Sequence, residues 1–437
     1  MHVGGVPAYT RGRRNASPQS RHLMTEDAPE AQPLPLATPL APVVLVEDST
    51  DFHRALDDLL AGEGPLALDA ERASGFRYSS RAYLVQVHRT GSANYLIDPI
   101  ALGSLSEITH TLGDQEWIIH AAHQDLACLR EVGVEPQTLF DTELGARLAG
   151  LPKVGLQGVV EDILGLSLAK EHSAADWSTR PLPPEWLTYA ALDVELLPRI
   201  RDEIARILSE AGKWDLAQEE FQAQLSLTPA RPRTEPWRRL SGLHQVRGPR
   251  ALAIARELWL AREELAESSD RAPGRLVPDR SLIAAVLANP SSKAELAGLK
   301  EFHGRASRSE LPRWWAAMER GRTTEDLPDT RAPSEGPPPP RVWPDRNPEA
   351  AARMSAAREA LAQVSAETTI PVENLLTPDY LRRLCWEPPH PATTESISVA
   401  LLDKGARPWQ ISLVAEALNT AFVEARQTQA STQAPQS

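Results

Sequence analysis

The segment PLALDAERASG, residues 65–75, constrains the fold more than any other part of the chain. Its apolar start reads as a buried strand, and its end places Asp69 and Glu71 two positions apart. Side chains alternate along a strand, so both carboxylates point to one face and Ala70 to the other. A buried face tolerates two ionised carboxylates only beside a compensating cation. The sheet that receives this strand therefore either opens that edge to water or builds a cation site there.

Two later segments offer the same chemistry. WIIHAAHQDLACLREVG, residues 117–133, reads as an apolar strand running into a helix, with His120 near the strand end and Asp125 where the helix begins. A lone carboxylate at that place also serves as a helix cap or dipole partner. PLPPEWLTYAALDVELLPRI, residues 181–200, reads as a helix with Tyr189 and Asp193 at i and i+4, on one face. Singly, Tyr189 suits a core and Asp193 a solvated surface. Together, four carboxylates from three apolar elements, with a phenol one turn from the last, form a hard oxygen-rich set suited to Mg²⁺ or Mn²⁺.

The rest of the chain divides by composition. Residues 1–40 are rich in Pro, Ala, Ser and Arg without periodicity and are expected to be disordered, with Met24 an alternative start. Over 41–221, PVVLVED, PLALDAE, AYLVQVHR, ANYLIDP and EWIIHAA read as strands around the helical DFHRALDDLLAG, and later segments turn helical. That order predicts an α/β domain with a mixed sheet flanked by helices. Residues 232–320, containing WRRLSGLHQVRGPRALAIARELWLAREELAESSD, read as a small all-α domain. A linker is expected over 321–347, containing the stiff RAPSEGPPPPR; a second all-α unit follows over 348–426 and a loose tail over 427–437.

The net charge of −13 conceals an asymmetry. Residues 41–220 hold 14 Lys and Arg against 30 Asp and Glu, whereas residues 231–320 hold 17 against 11. A basic unit suited to a phosphate backbone thus follows an acidic one suited to cations. No run of eighteen apolar residues occurs, the first twenty residues lack a secretory apolar core, and Cys128 and Cys385 have no metal-ligand spacing. A cytoplasmic location, no membrane partner and two buried thiols are the expectation.

The order Asp-x-Glu, then Asp, then Tyr-x-x-x-Asp resembles the tyrosine-bearing branch of the DEDD superfamily of 3′-5′ exonucleases. The surroundings RAYLVQVHR, HAAHQDL and DWSTRPLPPEWLTYAALDVELL are similar to the ribonuclease D family. The segment beginning WRRLSGLHQVRG resembles the helicase-and-RNase-D C-terminal (HRDC) domain, and the unit beyond the prolines stands where such proteins carry a second one. The resemblance implies a ribonuclease H-like fold and two divalent cations, Mg²⁺ or Mn²⁺. Asp69 would bridge both, Glu71 and Asp193 would complete one, and Asp125 would hold the other. It implies that Tyr189 orients the attacking water and that the product is a nucleoside 5′-monophosphate cut from an RNA 3′ end, as in tRNA precursors. Ala70 stands where the family often has Thr, but on the opposite face from the carboxylates, so the ligand set is intact.

Other candidates each have a plain structural alternative. Tyr83 and Gln86 are candidate lining of a 3′-nucleotide pocket; His120 and His123 are candidate contacts to the terminal nucleotide. Arg180 is a loop anchor or a phosphate contact, and Trp177 is packing. Arg238, Arg239, Arg247, Arg250, Arg305 and Arg308 are candidate contacts along an RNA backbone. No obligate protein partner is evident. Two further functions fit the residues: a 3′-5′ exonuclease of single-stranded DNA, since no motif reads the 2′-OH, and a non-catalytic nucleic-acid-binding scaffold. The complete carboxylate and tyrosine set argues against the scaffold.

Overall fold

A computed structural model of the chain describes residues 34–169, 172, 174–226, 234–331 and 336–433. The expectations for residues 1–33, Met24 included, lie outside the described residues.

The alternation in PLALDAER is realised in β2 (Glu63–Arg72). Leu66, Leu68 and Ala70 enter one apolar cluster with Phe52, Val85, Trp117 and Ile119. Ala67 enters another, on the opposite face, with Leu192, Val194 and Ile200. A strand apolar on both faces belongs in the middle of a covered sheet, and β2 is central. Six strands stand in the order β1-β4-β3-β2-β5-β6, with β1 at Val43–Val46, β3 at Ala82–Thr90, β4 at Asn94–Ile97, β5 at Glu116–Ile119 and β6 at Thr138–Asp141. β2, β3 and β4 form an antiparallel meander, while β1, β5 and β6 join in parallel. The mixed sheet matches the expectation; β6, four residues long, was not anticipated. Asp48 caps the helix Ser49–Ala61, which lays Phe52, Ala55, Leu56 and Leu59 on one face of the sheet. The helices Pro184–Glu195 and Leu197–Glu210 cover the other.

Three expected boundaries differ. Residues 35–40 are not a loose tail: Leu36 bridges to Ser167, Ala37 is buried, and the Leu40 and Ala41 amides donate to Glu195. The expected linker over 321–347 begins inside the helix Leu311–Thr323 and ends in a helical turn, Trp343–Arg346, whose Trp343 is fully buried. The last helix runs Pro408–Gln433, through much of the expected tail. More consequential is the core. Phe140, Ile204 and Phe221 belong to one apolar cluster with Met354, Leu361, Leu384, Leu418 and Phe422. The unit after the prolines therefore completes the hydrophobic core of the sheet domain instead of standing apart as a tethered module.

The middle helical unit has its own core, with Leu258, Leu282, Phe302, Trp314 and Met318 between the helices Pro249–Ser269 and Leu311–Thr323. It grips the sheet domain at the loop that follows β2. Asp270, ending the first of those helices in a left-handed conformation, accepts from the Ser79 amide at 2.9 Å and the Tyr83 hydroxyl at 3.1 Å. Ala272 donates to the Phe76 carbonyl, and Arg275 donates to the Gly75 carbonyl while its guanidinium lies 3.8 Å over the Phe76 ring. These contacts clamp the loop that leaves β2 just after Glu71. Asp270→Ala is expected to release it, because charge-assisted hydrogen bonds contribute about 1.5–3 kcal/mol. Amide hydrogen exchange over residues 75–80 should accelerate by at least about tenfold, with the central strands unchanged.

Among the described residues no helix is long and apolar enough to cross a membrane. Both cysteines are buried and unpaired.

Candidate active site

Asp69, Glu71 and Asp193 converge so that one carboxylate oxygen of each lies within 4.8 Å of the others. Asp69 and Glu71 project from the end of β2, and Asp193 projects from the helix Pro184–Glu195, started by Pro184 in its first turn. Tyr189, one turn earlier on the same helix, lies close enough to Asp193 for the two to shift each other's pKa. Its ring is held edge-on by His172 at 5.7 Å and lies 6.4 Å from Trp177, which is fully buried with its indole N–H on the His172 carbonyl. Asp125 stands close enough to Asp69 for that charge, after burial, to raise its carboxyl. Asp69, Glu71, Asp125, Tyr189 and Asp193 thus form one cluster.

Asp125 arrives by a turn that the sequence did not disclose. After β5 the chain passes Ala121 with φ at 58° into a single 3₁₀ turn, Ala122–Gln124, ending at Asp125. The turn is held by Asp141, buried at the end of β6. Asp141 accepts from the Ala121 and Ala122 amides, from the Glu143 and Leu144 amides of the next helix, and from Gln224. It was legible as a helix cap preceding TELGARLA, not as the support of a catalytic turn.

Arg72 was also missed. In a regular strand it would face away from Glu71, but the pairing shifts there: Glu71 lies opposite Leu84 and Arg72 opposite Ala82, leaving Tyr83 as the extra residue. Such a bulge re-aims side chains, and the Arg72 guanidinium comes within 3.3 Å of Asp125.

The electrostatics are those of a site short of positive charge. Burial is the first cause holding all four carboxyls above their ordinary range. Glu71 is raised further by Asp69 and Asp193, Asp193 by Asp69, and Asp125, pushed to about 8, by Asp69. Burial, followed by Asp193 and Glu71, likewise raises the Tyr189 phenol, keeping it protonated. Four hard oxygen ligands face one guanidinium, and Glu71, Asp125 and Asp193 are only 5–7% exposed. That donor set fits divalent cations of the Mg²⁺ or Mn²⁺ type.

The remaining candidates are placed elsewhere. Tyr83 is 3% exposed with its hydroxyl on Asp270, so the clamp uses the group that would have met a nucleotide. Gln86 is fully buried, in a strand that packs against the Tyr189 helix. His120 Nδ1 pairs with the Thr142 hydroxyl, and burial lowers its pKa, which leaves it a neutral structural ring; His123 is exposed. Arg180 is spent as an anchor on Asp98 and on the Tyr83, Trp177 and Thr179 carbonyls. Arg238 pairs with Glu235 and lies over Trp237, and Arg250 donates to the Gly321 and Thr324 carbonyls. Arg239, Arg247, Arg305 and Arg308 are exposed on the middle unit.

Comparison with known proteins agrees with this architecture. Residues 43–209 match the 3′-5′ exonuclease family, 251–318 the HRDC domain, and 336–422 the 3′ to 5′ exonuclease C-terminal domain. The chain is therefore of the class in which a 3′-5′ exonuclease domain is followed by an HRDC domain. It is 30% identical over 249 residues to ribonuclease D of Pseudomonas paraeruginosa, an alignment covering 56% of this chain and 66% of that protein. It is 29% identical over 306 residues to ribonuclease D of Acidiphilium cryptum, covering 68% and 76%. A crystal structure of a protein from Bifidobacterium adolescentis superposes with a TM-score of 0.79 at 38% identity, over 90% of this chain and 100% of that one. The chain belongs to the ribonuclease D family.

Proposed function

We propose that this chain is a 3′-5′ exoribonuclease that removes nucleotides one at a time from the 3′ ends of structured RNA such as tRNA precursors. The convergence of Asp69, Glu71 and Asp193 within 4.8 Å, with Asp125 and Tyr189 beside them, carries the reading. The curated relatives named ribonuclease D support RNA as the substrate.

Asp69, Glu71 and Asp193 would hold one divalent cation, and Asp69 with Asp125 a second. When bound, two such ions activate water and stabilise the leaving oxygen of an in-line displacement. The protein's own part is positioning. Tyr189, a neutral phenol beside Asp193, presents its hydroxyl to the attacking water and fixes its direction. The Trp177 and His172 rings keep that phenol in place. The exposed arginines of residues 232–320 offer a basic face for the RNA body, while the unit after residue 336 stabilises the catalytic core.

The test is digestion of 5′-labelled RNA and matched DNA with Mg²⁺ or Mn²⁺. A ladder shortening by single nucleotides on RNA, abolished by EDTA, is expected. Shortening of DNA alone would assign the single-stranded DNA substrate, and no shortening of either would leave a binding scaffold.

A further inference from the structure

Beneath the Tyr189 helix the sheet carries a polar row that the chemistry above does not use. Gln86 of β3 lies opposite Asp69 of β2, and opposite residues of an antiparallel pair share a face with Cβ atoms about 4.5–5.5 Å apart. Two positions along the same face, His88 lies opposite Ala67. On β4, Leu96 pairs with Gln86, which puts Asn94 on that face too. Gln86 and Asn94 are fully buried, and His88 is 6% exposed. Among the described residues, neither the amide oxygen nor the amide nitrogen of Gln86 has a hydrogen-bond partner, and the same holds for His88 Nδ1 and Asn94 Oδ1. Asn94 Nδ2, by contrast, donates at 2.7 Å to Glu195, on the helix that carries Tyr189 and Asp193.

A glutamine closed in between Leu84 and Leu96 of one apolar cluster and Ala67 of another is costly without partners. Methionine would fill the same volume without that cost, so the amide needs an explanation other than packing. The polar group it faces is Asp69. Asp69 also stands beside Asp125, whose carboxyl its charge helps to raise, and a cation between the two would relieve that repulsion.

We propose that Gln86 is a positioning residue for Asp69: its Nε2 donates to the Asp69 carboxylate and fixes that side chain for holding a divalent cation. The inference rests on the metal-dependent reading above. Hydrogen-bond partners of metal-binding carboxylates act in this manner, and their loss weakens metal binding by about 10–100-fold.

The experiment is calorimetric titration of the full chain with Mn²⁺ alone, for the wild type, Gln86→Met and Asp193→Asn, beside thermal melts in EDTA. Gln86→Met should bind Mn²⁺ about 10–100-fold more weakly, melt in EDTA at or above the wild-type midpoint, and lose kcat with KM for RNA unchanged. A merely structural glutamine would lower the midpoint and leave the Mn²⁺ affinity alone. Wild-type Mn²⁺ affinity in Gln86→Met overturns the proposal while leaving the metal site standing. A wild type that binds no Mn²⁺ overturns the metal reading and this inference with it. If Gln86→Met does not fold, Gln86→Asn draws the same amide back by one methylene; it should also bind more weakly, and wild-type affinity there is equally fatal.

Discussion

Asp193→Asn is expected to slow RNA 3′-end removal by on the order of 10³-fold and, at the same time, to raise the melting temperature of the metal-free protein. Both effects come from one cause. Asp193 sits 6% exposed among carboxylates whose pKa values burial and mutual repulsion hold above the ordinary range. Folding therefore brings together charges that repel, a strain that serves cation binding and opposes stability. Asparagine keeps the shape and removes one charge.

Burial first, and the same repulsion after it, fix a pH dependence. Asp125 is raised from 3.8 to about 8, so between those values the folded chain keeps a proton that the unfolded chain has released. Stability then falls as pH rises through that window, and Asp69, Glu71 and Asp193, raised in the same direction, add to the fall. Melts in EDTA should show a lower midpoint at pH 8 than at pH 5, with a shallower slope in Asp193→Asn and a midpoint restored by Mg²⁺ at pH 8. A wild-type midpoint that climbs from pH 5 to pH 8 without metal would contradict the electrostatic picture.

The second large effect is far from the pocket. Trp409→Ala is expected to cost about 3–5 kcal/mol, the range for truncating a buried tryptophan, and to destabilise the sheet domain along with the last helical unit. Trp409 is 8% exposed and packs in the cluster that holds Phe140, Ile204 and Phe221 of the sheet domain. Its indole N–H donates at 2.9 Å to Glu220, a buried carboxylate that also pairs with the Arg407 guanidinium. Lys213 adds a second tie, donating at 2.8 Å to the Leu148 carbonyl and to the Thr369 hydroxyl. Urea unfolding followed by far-UV dichroism and by exonuclease rate should shift together in Trp409→Ala. A lost last unit with an unchanged sheet domain would show that the two cores are separable.

The pocket was legible because its spacing is geometric. Asp69 and Glu71 at i and i+2 of a strand, and Tyr189 and Asp193 at i and i+4 of a helix, must share faces whatever surrounds them. What escaped depends on irregularities or on distant partners. Arg72 reaches Asp125 only because Tyr83 is an extra residue in the pairing. Asp141 looks like any helix cap until Ala121 and Ala122 are seen hydrogen-bonded to it. Tyr83 reads as available until Asp270, nearly two hundred residues later, takes its hydroxyl. The prolines of 337–340 suggest separation, and no local pattern says that the helices beyond them return to Phe221.

That return sets a timetable for synthesis. The core around Phe140 and Phe221 is incomplete until Leu418 and Phe422 have left the ribosome. At about 5–20 residues per second, the roughly 200 residues between Phe221 and Phe422 take on the order of 10–40 s to make. Through that interval the nascent nuclease lacks one side of its hydrophobic core, and a chain released early never obtains it. The sheet domain and the unit after the prolines thus complete one core together, late in synthesis.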